Sequence, residues 1–281
     1  MSVKHKIAVV KVGGDVLLDD AERRGLALNI KQLVSLNWRV VVLHGGGPQT
    51  NRLQTKIGLK PNKVSGRRIT SDKDLAVVKQ AIAGEVNVDL TTALLQAGVN
   101  AFGFHGASGR MIEAVKRPPM HVSGVADGPV DFGEVGDVTG INHTLLGKLL
   151  DAGLTPVIAT LGVAKDGRVF NINADTTVVK IAEALQADLL LLTTQVGAVF
   201  EDLSKPESRV KCITPQSAKT LIADGIIQGG MIPKVEEAVS LLDSGVGAIA
   251  IISGKNPQAF QSIVNSQGRF GTLIAKTDPL D

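Results

Sequence analysis

Residues 41–51 read Val-Val-Leu-His-Gly-Gly-Gly-Pro-Gln-Thr-Asn. An apolar run ends at Leu43, three glycines follow His44, and Pro48 opens a polar stretch. A strand-to-helix turn needs one flexible residue, and each further glycine costs conformational entropy. Gly45, Gly46 and Gly47 therefore predict a place where something comes close to the backbone. Pro48 suits the first turn of a helix, where its missing N–H is no loss. The stretch reads as strand, glycine turn and helix, the repeating unit of a parallel sheet.

The same alternation runs outward from it. Ile7–Val12, Val40–Leu43, Thr155–Ala159, Leu189–Thr193 and Ala248–Ser253 read as buried strands. Glu22–Leu36, Asp72–Ala97, His143–Ala152, Thr176–Gln186, Pro215–Asp224 and Ile232–Ser244 read as amphipathic helices. This predicts an α/β fold with a mainly parallel sheet covered on both faces. Asp72 and Asp175 stand where N-caps belong, and Gly98, Gly153 and Gly245 close their helices. Residues 99–140 break the rhythm. Their Gly, Pro and His content, with strand-like pieces such as Met111–Val115, predicts hairpins laid over a site instead of another strand–helix–strand unit. Two lobes on one continuous sheet, 1–170 and 171–281, are the expected organisation.

The 281 residues carry a net charge of +3 with no long basic block, which favours a small anionic ligand over a nucleic-acid groove. Aromatic residues make up 3% of the chain, too few for a base-stacking platform. Cys212 is the single cysteine, so no internal disulfide forms and a reducing, cytoplasmic setting is expected. No apolar stretch approaches the ~20 residues of a membrane span, and the start of the chain lacks a signal-peptide core.

Chemistry concentrates at strand ends. Lys11-Val12-Gly13-Gly14 places a lysine at the end of an apolar strand, where desolvation is expensive without a negative partner. Glycines at such positions let backbone N–H groups approach an anion, aided by the positive end of the following helix. The spacing matches neither a dinucleotide fingerprint nor a P-loop. Asn171-Ile172-Asn173-Ala174-Asp175 clusters two amides and a carboxylate before a helix. Gly229-Gly230-Met231-Ile232-Pro233-Lys234 sets a cation at a helix start, opposing the helix dipole by about 0.3–1 kcal/mol unless an anion sits there. The histidines, among them His44, His105, His121 and His143, follow no metal-ligand spacing and read as structural or solvated.

Taken together, KVGG (11–14), HGGGPQTN (44–51), GRRIT (66–70), GEVN (84–87), NINAD (171–175) and GGMIPK (229–234) resemble, in order and approximate spacing, the amino acid kinase family. The resemblance spans Lys6 to about Ile274 and points to the branch that phosphorylates acylated glutamate. It implies an αβα sandwich around an open eight-stranded, largely parallel sheet, with an acyl-amino-acid lobe followed by an ATP lobe. The implied reaction is ATP-dependent phosphorylation of the side-chain carboxylate of N-acetyl-L-glutamate, an early step of arginine synthesis, with Mg2+ accompanying ATP. By motif, Lys11 and Lys234 stabilise the transferring phosphoryl group and Asp175 holds both ammonium groups. Arg68 grips the substrate α-carboxylate, Asn171 the acylated amino acid, and Gly45 and Gly46 the substrate. Gly13 and Gly14 supply donors to phosphate, while Thr194, Gly197, Ile226 and Gln228 fall where the family seats the nucleotide.

The bare chemistry agrees. A carboxylate is already ionised at neutral pH, so its attack on phosphorus needs no general base, and no His–Asp dyad stands out. Two motifs depart from the family pattern. The nucleotide turn reads Thr193-Thr194-Gln195-Val196-Gly197, without the usual aspartate and proline, and the hairpin motif reads Ala107-Ser108-Gly109. The altered turn keeps open a catalytically silent nucleotide-binding relative. The motifs also leave the acyl group open between N-acetylglutamate, N-succinylglutamate and an acylated aminoadipate. Little sequence precedes the first strand, so a homodimer without the interlacing helix of arginine-inhibited hexamers is expected, with no nucleic-acid or membrane partner.

Overall fold

The computed structural model describes residues 5–122, 128–228, 231–265 and 269–278, without the side chains of Pro233, Lys234 and Glu237. Eight strands build one sheet: β1 (Ile7–Val12), β2 (Arg39–His44), β3 (Ala101–His105), β4 (Thr155–Ala159), β5 (Leu189–Thr193), β6 (Cys212–Ile213), β7 (Ala248–Ile252) and β8 (Thr272–Ile274). Their spatial order is β6-β8-β7-β5-β1-β2-β4-β3, and β7–β8 is the antiparallel pair among otherwise parallel neighbours. β1 through β4 make one half and β5 through β8 the other. Their seam is β1 beside β5, with Lys11 opposite Leu192.

Burial on both faces explains why the central strands are continuously apolar. Val9, Val41, Leu43, Ile158 and Leu190 pack on one side with Val178 and Ile181 of the helix Ala174–Leu185. Ala8, Val10, Val42 and Leu191 pack on the other with Leu26, Ile30 and Leu33 of the helix Asp20–Ser35. The period of two along each strand thus sends alternate residues into two separate cores.

Gly98, Gly153 and Gly245 do close helices, each with positive φ. The N-caps differ from expectation. Ser71, not Asp72, caps its helix through a reciprocal capping box with Asp74. Asn173, not Asp175, accepts the Thr176 N–H at 3.0 Å, which commits the Asp175 carboxylate elsewhere. A hydroxyl or amide one or two residues upstream wins because its oxygen reaches the N3 amide with the cap residue still extended.

The hairpin reading of 99–140 is corrected in part. β3, at Ala101–His105, joins the main sheet as its edge, parallel to β4. Its glycine, histidine and two phenylalanines hid it, since an edge strand carries little buried apolar pattern. Beyond β3, Ile112–Lys116 and Val135–Ile141 do pair antiparallel, and they close into a small four-stranded barrel with Leu161–Val163 and Val169–Ile172 from further along the chain. The predicted long helix 72–97 forms with its middle, Lys79–Val86, wound as a π-helix between Asp72–Val78 and Asn87–Gln96. Among the described residues, no helix is long and apolar enough to cross a membrane.

Candidate active site

β1 and β2 run side by side and end together, Val12 opposite His44, so their glycine turns emerge at one edge of the sheet. There they line a cavity of about 380 Å3 with Arg67, Arg68, Arg117, Thr160 and Asn171–Asp175. The helices Gly47–Lys56 and Ala174–Leu185 both start at this cavity and present their positive ends to it. Lys11, Gly13, Gly14, Gly45, Gly46, Arg68, Asn171 and Asp175 are all among its walls.

Two of these glycines are required by close approach. A Cβ on Gly14 would lie 2.8 Å from Pro48 Cδ, where the two turns touch. One on Gly46 would lie 3.0 Å from Ile82 Cγ1 and 3.3 Å from Val86 Cγ2, on the π-helical wall. The N–H groups of Gly14, Gly46 and Gly47 have no protein acceptor among the described hydrogen bonds. Gly45 N–H bonds Val12 O at 3.3 Å, and Gly13 N–H reaches Thr193 Oγ1 at 3.4 Å. An anion in the cavity would supply the acceptor that these three donors lack.

Lys11 Nζ lies 3.0 Å from Asp175 Oδ1, with the lysine 14% and the aspartate 46% exposed. Asn173 takes the capping role, so Asp175 in the first helical turn turns toward β1. Lys234 belongs to the helix Met231–Leu241, and its side chain, like Gly229 and Gly230, lies outside the described residues.

Arg68 is held by amides that the sequence reading left without a role. Its terminal nitrogens donate to Gln54 Oε1 and to Asn51 Oδ1, and one reaches Gly47 O at 3.3 Å. Gln54 in turn donates to Asp74 Oδ1 at 2.5 Å. Asn51 and Gln54 sit three apart on the helix Gly47–Lys56, a spacing that puts them on one face. Neutral amides orient a guanidinium without cancelling its charge. A carboxylate that enters the fork replaces one of them. Burial pulls the Arg68 pKa below its ordinary value, and the nearby Asp74 carboxylate opposes that shift. Asn171 Nδ2 donates to the buried Thr70 Oγ1 at 3.2 Å, which aims the amide along the cavity wall.

Thr194, Gly197, Ile226 and Gln228, the residues expected at the nucleotide, are not among this cavity's walls. Thr194 follows β5, its N–H bonded to Ile252 O at 2.9 Å, and its hydroxyl accepts Gly197 N–H at 2.9 Å. Gly197 has φ +79° and lines a separate 200 Å3 recess. Ile226 and Gln228 lie in the turn before the helix Met231–Leu241, where Met231 N–H bonds Gln228 O at 3.1 Å. Thr193, expected as the first residue of the nucleotide turn, joins the halves of the sheet. Its hydroxyl donates to Lys11 O at 2.9 Å while accepting from Gly13 N–H. Arg117 was missed. It is 13% exposed, paired with Asp137 at 2.6 Å, and its only signal was an arginine beside two prolines.

The match to the Amino acid kinase family covers residues 6–253, and the chain belongs to that family. It is 42% identical over 269 residues to the acetylglutamate kinase of Anaeromyxobacter sp. (strain Fw109-5), covering 96% of this chain and 99% of that one. It is 36% identical over 272 residues to the acetylglutamate kinase of Methanocaldococcus jannaschii, covering 96% and 91%. The solved chain smu.665 from Streptococcus mutans UA159 superposes with a TM-score of 0.73 at 30% identity, covering 96% and 99%.

Two outcomes follow from this geometry. His44, fully buried at the end of β2, has its pKa pushed down to about 4 by desolvation, against the bond to Gly45 O. The unfolded chain protonates this histidine near 6.5, so unfolding takes up a proton between that pH and 4. Stability is complete above pH 6.5 and falls as pH drops toward 4, by on the order of 3 kcal/mol from this group. Urea titrations across that window, with a His44→Asn control lacking the slope, check it. Secondly, Arg68→Lys removes the planar fork. The KM for the amino-acid substrate should rise at least about tenfold, one step of 1.4 kcal/mol, with the ATP KM nearly unchanged. Steady-state kinetics in both substrates decide, and the opposite pattern removes Arg68 from the acid site.

Proposed function

We propose that this protein transfers the γ-phosphoryl group of ATP to the side-chain carboxylate of N-acetyl-L-glutamate, forming N-acetylglutamyl 5-phosphate for arginine synthesis. The observation that carries the reading is the Lys11–Asp175 pair at 3.0 Å, set at the mouth of a glycine-walled cavity into which two helices start. Full-length likeness to acetylglutamate kinases, at 42% and 36% identity, supports the substrate.

The acceptor carboxylate attacks phosphorus directly, because it is ionised at neutral pH and no proton has to leave. Catalysis then rests on alignment and on neutralising charge in a loose transition state. Lys11, oriented by Asp175, faces the transferring oxygens, and Lys234 is assigned the same task by its motif. Gly14 and Gly46 N–H groups add fixed dipoles, while Arg68 and Asn171 hold the amino-acid end away from the reacting carboxylate. Thr194, Gly197, Ile226 and Gln228 are assigned to the nucleotide. ATP enters as its Mg2+ complex. The ion would help to neutralise the phosphate charge as the group transfers.

The decisive test is a panel of N-acetylglutamate, N-succinylglutamate, N-acetylaminoadipate and glutamate with MgATP, scored by ADP release and by trapping the acyl phosphate as a hydroxamate. Turnover highest on N-acetylglutamate is expected. Preference for another acid reassigns the acyl group, and ATP binding without turnover on any of them points to a silent relative.

The same reading takes the protein as a cytoplasmic homodimer. Edge strand β3 exposes Phe102 at 44%, and the helix packed on it exposes Val88 at 56% and Leu95 at 49%. Sedimentation equilibrium should return twice the 29.4 kDa chain mass, and a Phe102→Lys variant should shift it toward monomer. A monomeric parent protein overturns this assignment.

A further inference from the structure

We infer that His44 is a positioning residue of the transfer step: in its Nδ1–H tautomer it turns the Gly45 carbonyl inward and so aims the Gly46 N–H at the cavity. The argument begins at Asn87, buried in the helix that follows the π-helical stretch. Its amide nitrogen lies 3.0 Å from Val157 O, 3.3 Å from Phe104 O and 2.9 Å from His44 Nε2. Carbonyl oxygens only accept, so the group facing all three is the NH2. It shares two hydrogens among them, with Phe104 O the most distant, and offers no lone pair. His44 Nε2 therefore meets it as an acceptor and not as a donor.

A neutral imidazole then carries its proton on the other nitrogen. That nitrogen, Nδ1, is 2.8 Å from Gly45 O, which again only accepts. Both ends of the ring demand the same tautomer. The opposite tautomer would set lone pair against lone pair at Gly45 and N–H against NH2 at Asn87.

The consequence passes through one peptide unit. The described backbone contains no cis bonds, and in a planar trans peptide the C=O and N–H point in opposite directions. Gly45 O is held toward the buried ring, so the N–H of Gly46, in the same plane, points away from it. Gly46 lines the cavity, and its N–H has no protein acceptor among the described bonds, whereas the Gly45 N–H is used by Val12 O. Ile82 and Val86 fill the space beside Gly46 that a side chain would take, 3.0 and 3.3 Å from where its Cβ would stand. A single helix therefore supplies both this apolar wall and, at Asn87, the clamp on the ring. The result is a donor aimed before any charge develops in front of it, the condition under which such a group accelerates a reaction most.

The inference rests on the phosphoryl-transfer reading for its reaction, and its test separates the two. The Asn side chain places an amide nitrogen where Nδ1 stands, and Gln places its terminal group where Nε2 stands. His44→Asn keeps the donor to Gly45 O and gives up the Asn87 contact. His44→Gln does the reverse. With N-acetylglutamate and MgATP, the Gln variant should lose about 10²-fold in kcat, the usual loss when one preorganised donor is removed. The Asn variant should lose less than about fivefold, a small fraction of that effect. Both KM values should move far less than kcat, and the two melting temperatures should fall together, because each variant breaks one buried contact. Equal kcat losses, or a more active Gln variant, overturn the inference.

Nitrogen-15 NMR of the wild-type imidazoles judges the geometry without any variant or turnover. A protonated Nδ1 with an unprotonated Nε2 on His44 supports it, and an Nε2–H tautomer refutes it even if both variants fail to fold. A wild-type protein inactive on N-acetylglutamate would overturn the reaction assigned above and leave this spectral result standing.

Discussion

A largely desolvated ammonium group at the end of a central strand is costly without a negative partner close by, and Asp175 is a partner of that kind for Lys11. The two residues come from opposite sides of the molecule's main seam in sequence, and their meeting fixes much around them. Asp175 has to stand in the first turn of its helix, so capping falls to Asn173. Lys11 has to end β1 where β2 also ends, so both glycine turns open at the same place. The pair is itself neutral, and the cavity's attraction for anions comes from elsewhere. Two helix starts, three backbone donors without a protein acceptor among the described bonds and the amide-held Arg68 supply it.

This explains why the arginine is gripped by Asn51 and Gln54. A carboxylate in their place would orient the guanidinium as firmly, yet it would spend the charge that the ligand needs. Asp74 contributes at one remove, through Gln54. Its own carboxyl is pushed up by burial, but hydrogen bonds from Ser71 and Gln54 more than offset this and hold it below the usual range. Thr193 plays a comparable role at the seam, fixing the Lys11 carbonyl from β5.

Much of the fold was legible because burial on two faces writes itself as long apolar runs. β1, β4 and β5 have the bounds read from sequence, and the αβα layering follows from the alternation. The edge strand β3 was not legible, since an edge strand needs no such run. The capping residues were misread by one or two positions, because Asp72 and Asp175 are as plausible by type as Ser71 and Asn173. Their difference lies in φ and ψ, which a sequence does not state. Of the eight residues grouped at the cavity, Lys11 and the four glycines stood out because glycine runs and a strand-end lysine are costly unless used. Asn171 and Asp175 stood out as a polar cluster before a helix, and Arg68 through the family resemblance alone. Gln54 and Arg117 were missed for the converse reason. Each is an ordinary residue type at an ordinary place, and only the three-dimensional partner gives it meaning.

The π-helical stretch Lys79–Val86 has a bearing on how this chain tolerates change. Its bonds span one residue more than those of an α-helix, so the segment holds an extra residue relative to regular winding. Removing one residue there takes away that surplus and lets the whole of 72–96 wind as regular α-helix, with its two ends facing much as they do now. What such a deletion erases is the widened turn itself, the part that sets Ile82 and Val86 against Gly46. A one-residue deletion is therefore compatible with the fold but reshapes one wall of the cavity. The exposed Lys79 and Gln80 are open to substitution, because neither side chain faces the glycine turn.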